Sequence, residues 1–100
     1  MEKRKPSYSL GAIKAAFATT ATLRMGTAAQ RSAIALGFST EEIVKTIQCI
    51  MPGMFYKSMT TYADHRVWQD VYHVPSMVGV LYVKFQKDAQ GHFVIGFKEK

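Results

Sequence analysis

Pro52-Gly53 divides the chain into two stretches with different hydrophobic periods, and that change implies helices first and strands after. Before it, apolar residues recur every three to four positions. Leu10, Ile13 and Phe17, with Ala12, Ala15 and Ala16 among them, predict a short amphipathic helix over residues 9–19. A second helix is predicted over 27–36, with the Thr27 hydroxyl suited to its N-cap and Gly37 free to take the left-handed conformation that ends it. The third helix carries the clearest signal. Ser39 and Glu42 have capping-box spacing, Phe38 and Ile43 stand where a hydrophobic staple places them, and Ile43, Ile47 and Ile50 form one stripe that Pro52 terminates.

Beyond Gly53 the pattern is extended. Residues 55–62 are rich in aromatic and β-branched types, Asp64-His65-Arg66 reads as a turn, and 67–72 supplies a second strand able to pair with the first. Pro75-Ser76 reads as a break. Residues 78–85 alternate, 87–91 have the polar and glycine signature of a hairpin turn, and 92–97 alternate again. The order predicts a single α+β domain over residues 1–100, its N-terminal helices covering one face of a largely antiparallel sheet.

Composition narrows the function classes. At 48% hydrophobic residues the chain can build a core without staples, and the single Cys49 excludes an intrachain disulfide framework. Three scattered histidines make no close-spaced metal cluster, so neither a metal nor another cofactor is expected. No apolar run approaches the ~20 residues of a membrane span, and the start Met1-Glu2-Lys3-Arg4-Lys5-Pro6 leads into no signal-peptide core. A non-secreted chain with no membrane partner, in a reducing compartment, is the expectation. The formal charge of +6 favours a polyanionic partner. That excess is spread, with seven Lys+Arg against three acidic residues up to position 50 and six against four after it.

Strand parity assigns faces. Phe93, Ile95 and Phe97 share one face opposite Val94 and Lys98; Leu81, Val83 and Phe85 point inward, leaving Tyr82 and Lys84 outside. Val67, Gln69 and Val71 lie opposite Trp68, Asp70 and Tyr72, while Tyr56, Ser58 and Thr60 lie opposite Phe55, Lys57 and Met59. Parity leaves open which face of these two strands meets solvent. If Lys57, Gln69, Tyr82 and Lys98 converge on the uncovered side, they gather two cations, an amide and a phenol, a group suited to a phosphodiester. RNA cleavage without a metal needs the 2′-hydroxyl deprotonated, the growing phosphate charge stabilised and the 5′-oxygen protonated. Lysines meet the second demand directly. To act as bases they need a pKa lowered from ~10.4, and tyrosine from ~10; a cluster of two lysines and a tyrosine is expected to lower all three. Taken singly, each reads as an ordinary solvated or packing side chain.

His65, His73 and His92 offer a rival acid–base assignment, because imidazole titrates near ~6.5. Aromatics interleaved with charge, as in Tyr56-Lys57, Tyr62, Trp68 and Tyr72-His73, equally suit base stacking in a noncatalytic RNA- or DNA-binding regulator. No glycine-rich phosphate loop, paired-carboxylate motif or hydrolase nucleophile signature is present.

The start Met1-Glu2-Lys3-Arg4, the block Phe55-Tyr56-Lys57-Ser58-Met59-Thr60-Thr61-Tyr62-Ala63-Asp64-His65, the block Trp68-Gln69-Asp70-Val71-Tyr72 and the ending Phe97-Lys98-Glu99-Lys100 closely resemble the MqsR family, the motility quorum-sensing regulator toxins of bacterial type II toxin–antitoxin systems. The resemblance spans essentially the whole chain and is most specific over residues 55–72. It implies a RelE-like α+β fold and a cytoplasmic endoribonuclease that cleaves mRNA without the ribosome, at GC-containing triplets of the GCU or GCA kind. It implies catalytic positions at Lys57, Gln69, Tyr82 and Lys98: phosphate stabilisation by the lysines, proton transfer shared between Tyr82 and a lysine, and substrate positioning by Gln69. His65, Tyr56 and Arg66 follow as substrate-contact candidates, and His73 stands where arginine occurs within the family. The implied partner is an MqsA-type antitoxin with a zinc-binding N-terminal domain and a helix-turn-helix C-terminal domain, through which alone the toxin meets operator DNA.

Overall fold

Local capping sets the helical half. In the computed structural model, which describes residues Met1–Lys100, the Ser9 hydroxyl accepts the Ala12 N–H at 3.2 Å and starts α1 (Leu10–Ala16). α1 stops short of the predicted Thr19, and Thr20–Thr22 form a separate 3-10 turn. The β-branched run Thr19-Thr20 favours that exit. α2 (Thr27–Ala35) is capped by Gly26 rather than Thr27, and Gly37 follows it at φ 82° as the left-handed stop. α3 (Thr40–Gln48) has the full reciprocal box: Ser39 Oγ accepts the Glu42 N–H at 3.2 Å, and Glu42 Oε1 accepts the Ser39 N–H at 2.9 Å.

The extended half forms a five-stranded antiparallel meander in the order β1 (Glu2–Lys3), β2 (Phe55–Thr60), β3 (Trp68–Ser76), β4 (Gly79–Lys87) and β5 (Phe93–Glu99). Three helices packed against this sheet give the expected α+β class, compatible with a RelE-like fold. α2 lies on β5, and its buried Ala29 and Ala33 let the backbones approach closely. Phe17 stacks near Phe85 at 6.1 Å and Phe38 meets Phe97 edge-on at 5.2 Å, so aromatics from both halves close one core.

Three features depart from the sequence reading. β1 was not anticipated: two residues are too short to show a period, yet Glu2 and Lys3 pair with Met59 and Ser58. β3 runs through Pro75 instead of breaking there. Its pairing with β2 ends at Tyr72, so Pro75 has a strand on one side only, where a missing N–H is tolerated. The turn falls at Met77-Val78, with Gly79 at φ 109°. Finally, the β2–β3 register shifts between Phe55 and Lys57. This bulge puts Phe55 against the core residue Tyr72 and leaves both Tyr56 and Lys57 on the other face, where simple alternation would separate them.

A buried carboxylate fixes the N-terminal segment. Asp70, fully buried on the core face, accepts the Ser7 N–H at 2.9 and 3.0 Å and the Tyr8 N–H at 2.9 Å. The Ser7 and Ser58 hydroxyls meet at 2.8 Å beside it. These bonds deliver the preceding residues to the β2 edge as β1.

Candidate active site

Parity and register build the uncovered face row by row. His73 on β3 is paired with Tyr82 on β4, and Tyr82 with Lys98 on β5; Tyr56, freed by the bulge, stacks on His73 from the β2 side. The next row runs Lys57, Val71, Lys84, Gly96. The third has Glu2 and Met59 beside Gln69, whose amide donates to the Gln86 carbonyl, and Gln86 is paired with Val94. Lys57, Gln69, Tyr82 and Lys98 therefore share the side of the sheet away from the helices. Lys57 and Lys98 stand three strands and one row apart, about 16 Å at the backbone. Between them the Lys57 ammonium lies 5.3 Å from the Tyr56 ring and the Lys98 ammonium 5.0 Å from the Tyr82 ring.

The electrostatics differ from the sequence expectation. Lys57 is driven up from the ordinary lysine pKa, chiefly by the hydrogen bond it donates to Glu2 at 2.7 Å, and the same contact holds the Glu2 carboxyl below its usual range. Crowding by cations does not lower Lys57, because β1 brings it a carboxylate. The depressed lysine is Lys84. Burial lowers it first and the Lys98 charge adds to the effect. Its stem crosses Gly96: a Cβ at that position would sit 2.8 Å from Lys84 Cγ and 2.9 Å from Cε. Gly96 is thus the floor on which the central lysine lies. Neighbouring Val71 is wholly covered.

The remaining candidates separate. Tyr56 joins the uncovered face. His65 and Arg66 stand in the exposed loop between β2 and β3, and the Arg66 guanidinium is engaged by Asp64, at 3.1 Å from Nε to Oδ1 and 3.2 Å from Nη2 to Oδ2. His92 lies in the β4–β5 loop beside Asp88. Lys84 and Glu2 join this face without having been among the candidate site residues. Lys84 was legible by parity, being two residues beyond Tyr82, whereas Glu2 could be found only through the pairing of β1. No three His, Cys, Asp or Glu side chains gather in a metal-ligating group.

Taken together, the face offers fixed cations, a phenol, an amide and stacked rings on one open surface. Such a surface can hold a single-stranded polyanion by charge and by base stacking, and can stabilise charge developing on a phosphate. The family described as "Motility quorum-sensing regulator, toxin of MqsA" matches residues 5–99. The mRNA interferase toxin MqsR of Escherichia coli (strain K12) is 35% identical over 100 residues, covering 100% of both chains.

Proposed function

This chain belongs to the motility quorum-sensing regulator toxin family, and from that premise we propose that the uncovered sheet face cleaves mRNA by 2′-hydroxyl transesterification. The coarse function is that of its family, a toxin endoribonuclease acting on mRNA, with the antitoxin MqsA as partner. The proposal adds the site and its chemistry. It is carried by the common placement of Lys57, Gln69, Tyr82 and Lys98 on one face.

Each residue then has work to do. Lys57, kept protonated by Glu2, and Lys98 stabilise the negative charge that grows on the phosphate oxygens. Gln69, oriented by Gln86, positions the nucleotide. Tyr82, between His73 and Lys98, shares in proton transfer with lysine. Tyr56 offers a stacking surface for a base, and His65 and Arg66 contact flanking nucleotides from the β2–β3 loop. No step calls for a metal. Cleavage is proposed to occur in the cytoplasm, away from the ribosome, at GC-containing triplets such as GCU or GCA. The antitoxin would carry the complex's zinc in its N-terminal domain and its operator contacts in a helix-turn-helix C-terminal domain. No helix of the chain is long and apolar enough to cross a membrane.

Purified protein incubated with a defined mRNA in EDTA, without ribosomes, should cut it, and mapped 5′ ends should fall at GC-containing triplets. Salt-dependent binding with no product from folded protein would favour the noncatalytic regulator instead. The Lys84–Gly96 contact gives a second expectation. In Gly96→Val the added side chain meets the lysine stem from Cγ outward and not only its far end, so the melting temperature should fall modestly while kcat/KM falls about tenfold as the Lys84 ammonium is re-aimed.

A further inference from the structure

The removal of the 2′-hydroxyl proton is the step the four family positions serve least well, since Lys57 is held in its charged form by Glu2. One other titratable side chain stands among them. His73 lies in the same row as Tyr82 and Lys98, half-buried, with its ring stacked on Tyr56 at 4.2 Å and 23° and the Tyr82 ring 5.8 Å away. Neither of its ring nitrogens hydrogen-bonds a protein group, so the imidazole is held by its faces and its edge is free for a ligand. His65 is in an exposed loop and His92 is beside Asp88, which leaves His73 as the imidazole on this face.

We propose that His73 accepts the 2′-hydroxyl proton during RNA cleavage, a role outside the four positions implied by family resemblance. The inference rests on the ribonuclease reading and deepens it. The groups around the imidazole suit a proton acceptor. β2 contributes Tyr56 and Lys57, the latter tied to Glu2 of β1; β4 contributes Tyr82 and Lys84; β5 contributes Lys98, with Lys100 beyond it; β3 itself places no other charge on this side. Burial, and then Lys100, hold the imidazole below its ordinary pKa, which favours its neutral, proton-accepting form. In the step, the proton passes from O2′ to a ring nitrogen while the O2′–P bond forms and the P–O5′ bond breaks. The leaving oxygen takes a proton from the Lys98 ammonium. A 2′,3′-cyclic phosphate and a 5′-hydroxyl result; the imidazolium then releases its proton to water and the lysine regains one, restoring the enzyme.

The test is the pH dependence of kcat/KM on a short GC-containing RNA, between about pH 5 and 9, for the natural protein, His73→Phe and His73→Gln. Phenylalanine preserves a ring on Tyr56 but cannot take a proton; glutamine serves as the second variant if the first does not fold. The expected result is a rate that falls on the acid side, below the ordinary imidazole range, in the natural protein, a loss of about a hundredfold or more in the variants, and the disappearance of that acid limb. A variant retaining the rate within a fewfold, or keeping the acid limb, overturns the assignment while leaving the ribonuclease reading intact. Failure of the natural protein to cut RNA at any pH overturns both.

Discussion

Replacing Lys57 and Lys98 together by alanine is expected to lower kcat/KM for RNA cleavage by about a thousandfold or more, with the fold unchanged. Removal of one preorganised group that stabilises transition-state charge commonly costs ~10²–10³ in rate, and these two cations flank the same row of rings from opposite strands. Neither belongs to the core, so far-ultraviolet circular dichroism and the melting temperature should stay close to those of the natural protein. The loss should fall mainly on kcat. A fall confined to KM would mean that the lysines only gather RNA, as their charge alone would allow. Lys14→Ala and Lys45→Ala, on α1 and α3, provide a charge-matched control that should retain activity within about twofold. Equal losses in both pairs would dissolve the distinction between a local site and the general positive charge of the molecule.

Asp70→Ala should have the largest effect on stability. The carboxylate is fully buried and accepts the Ser7 N–H through both oxygens and the Tyr8 N–H through one, so alanine leaves two partly buried donors without partners. Hydrogen bonds to a charged group contribute ~1.5–3 kcal/mol each and are not additive, which places the expected loss at about 3 kcal/mol. Urea unfolding should show it as a lower midpoint. The consequence reaches the active face, because the Ser7–Tyr8 segment holds β1 in register and β1 carries Glu2 to Lys57. In Asp70→Ala, the Lys57 pKa should therefore move back toward the ordinary lysine value, read as the chemical shift of its ε-methylene carbon against pH. A Lys57 titration unchanged from the natural protein would show that β1 does not depend on this buried carboxylate.

The parts legible in the sequence were those with a repeating period or a fixed capping spacing. Ser39 and Glu42 gave the start of α3, and alternation in β4 and β5 put Tyr82 and Lys98 on one face because nothing interrupts the period of those strands. β2 was harder. Its bulge adds a residue, so Phe55 and Lys57 fall on opposite faces although they are two apart, and alternation read from sequence had put them together. β1 is too short to carry a period, and its place depends on Asp70, a residue more than sixty positions away. The pKa of Lys57 followed from that unseen pairing: counting only neighbouring cations gives a downward shift, whereas Glu2 turns it upward. Pro75 misled for the complementary reason. A proline forbids a strand with neighbours on both sides, and the end of β2 at Tyr72 removes one neighbour.

The linkage between Glu2 and Lys57 also has a direction in pH. Glu2 is held below its usual range, so the pair is intact above the ordinary carboxylate pKa and is lost as the pH falls through the lowered Glu2 value. Lysine stays charged throughout that range. Any acid-side loss of activity above the ordinary carboxylate range therefore does not come from this pair, and it is the signature expected of His73.

The chemistry of the cut ends tests the central claim most directly. If the lysine- and tyrosine-bearing sheet face cleaves RNA through the 2′-hydroxyl, mass analysis of the products of a defined RNA cut in EDTA will find 2′,3′-cyclic phosphate and 5′-hydroxyl ends, and an RNA with 2′-deoxyribose at the cut position will remain whole. Products ending in 3′-hydroxyl and 5′-phosphate, or cleavage of the deoxy-substituted strand, would contradict it.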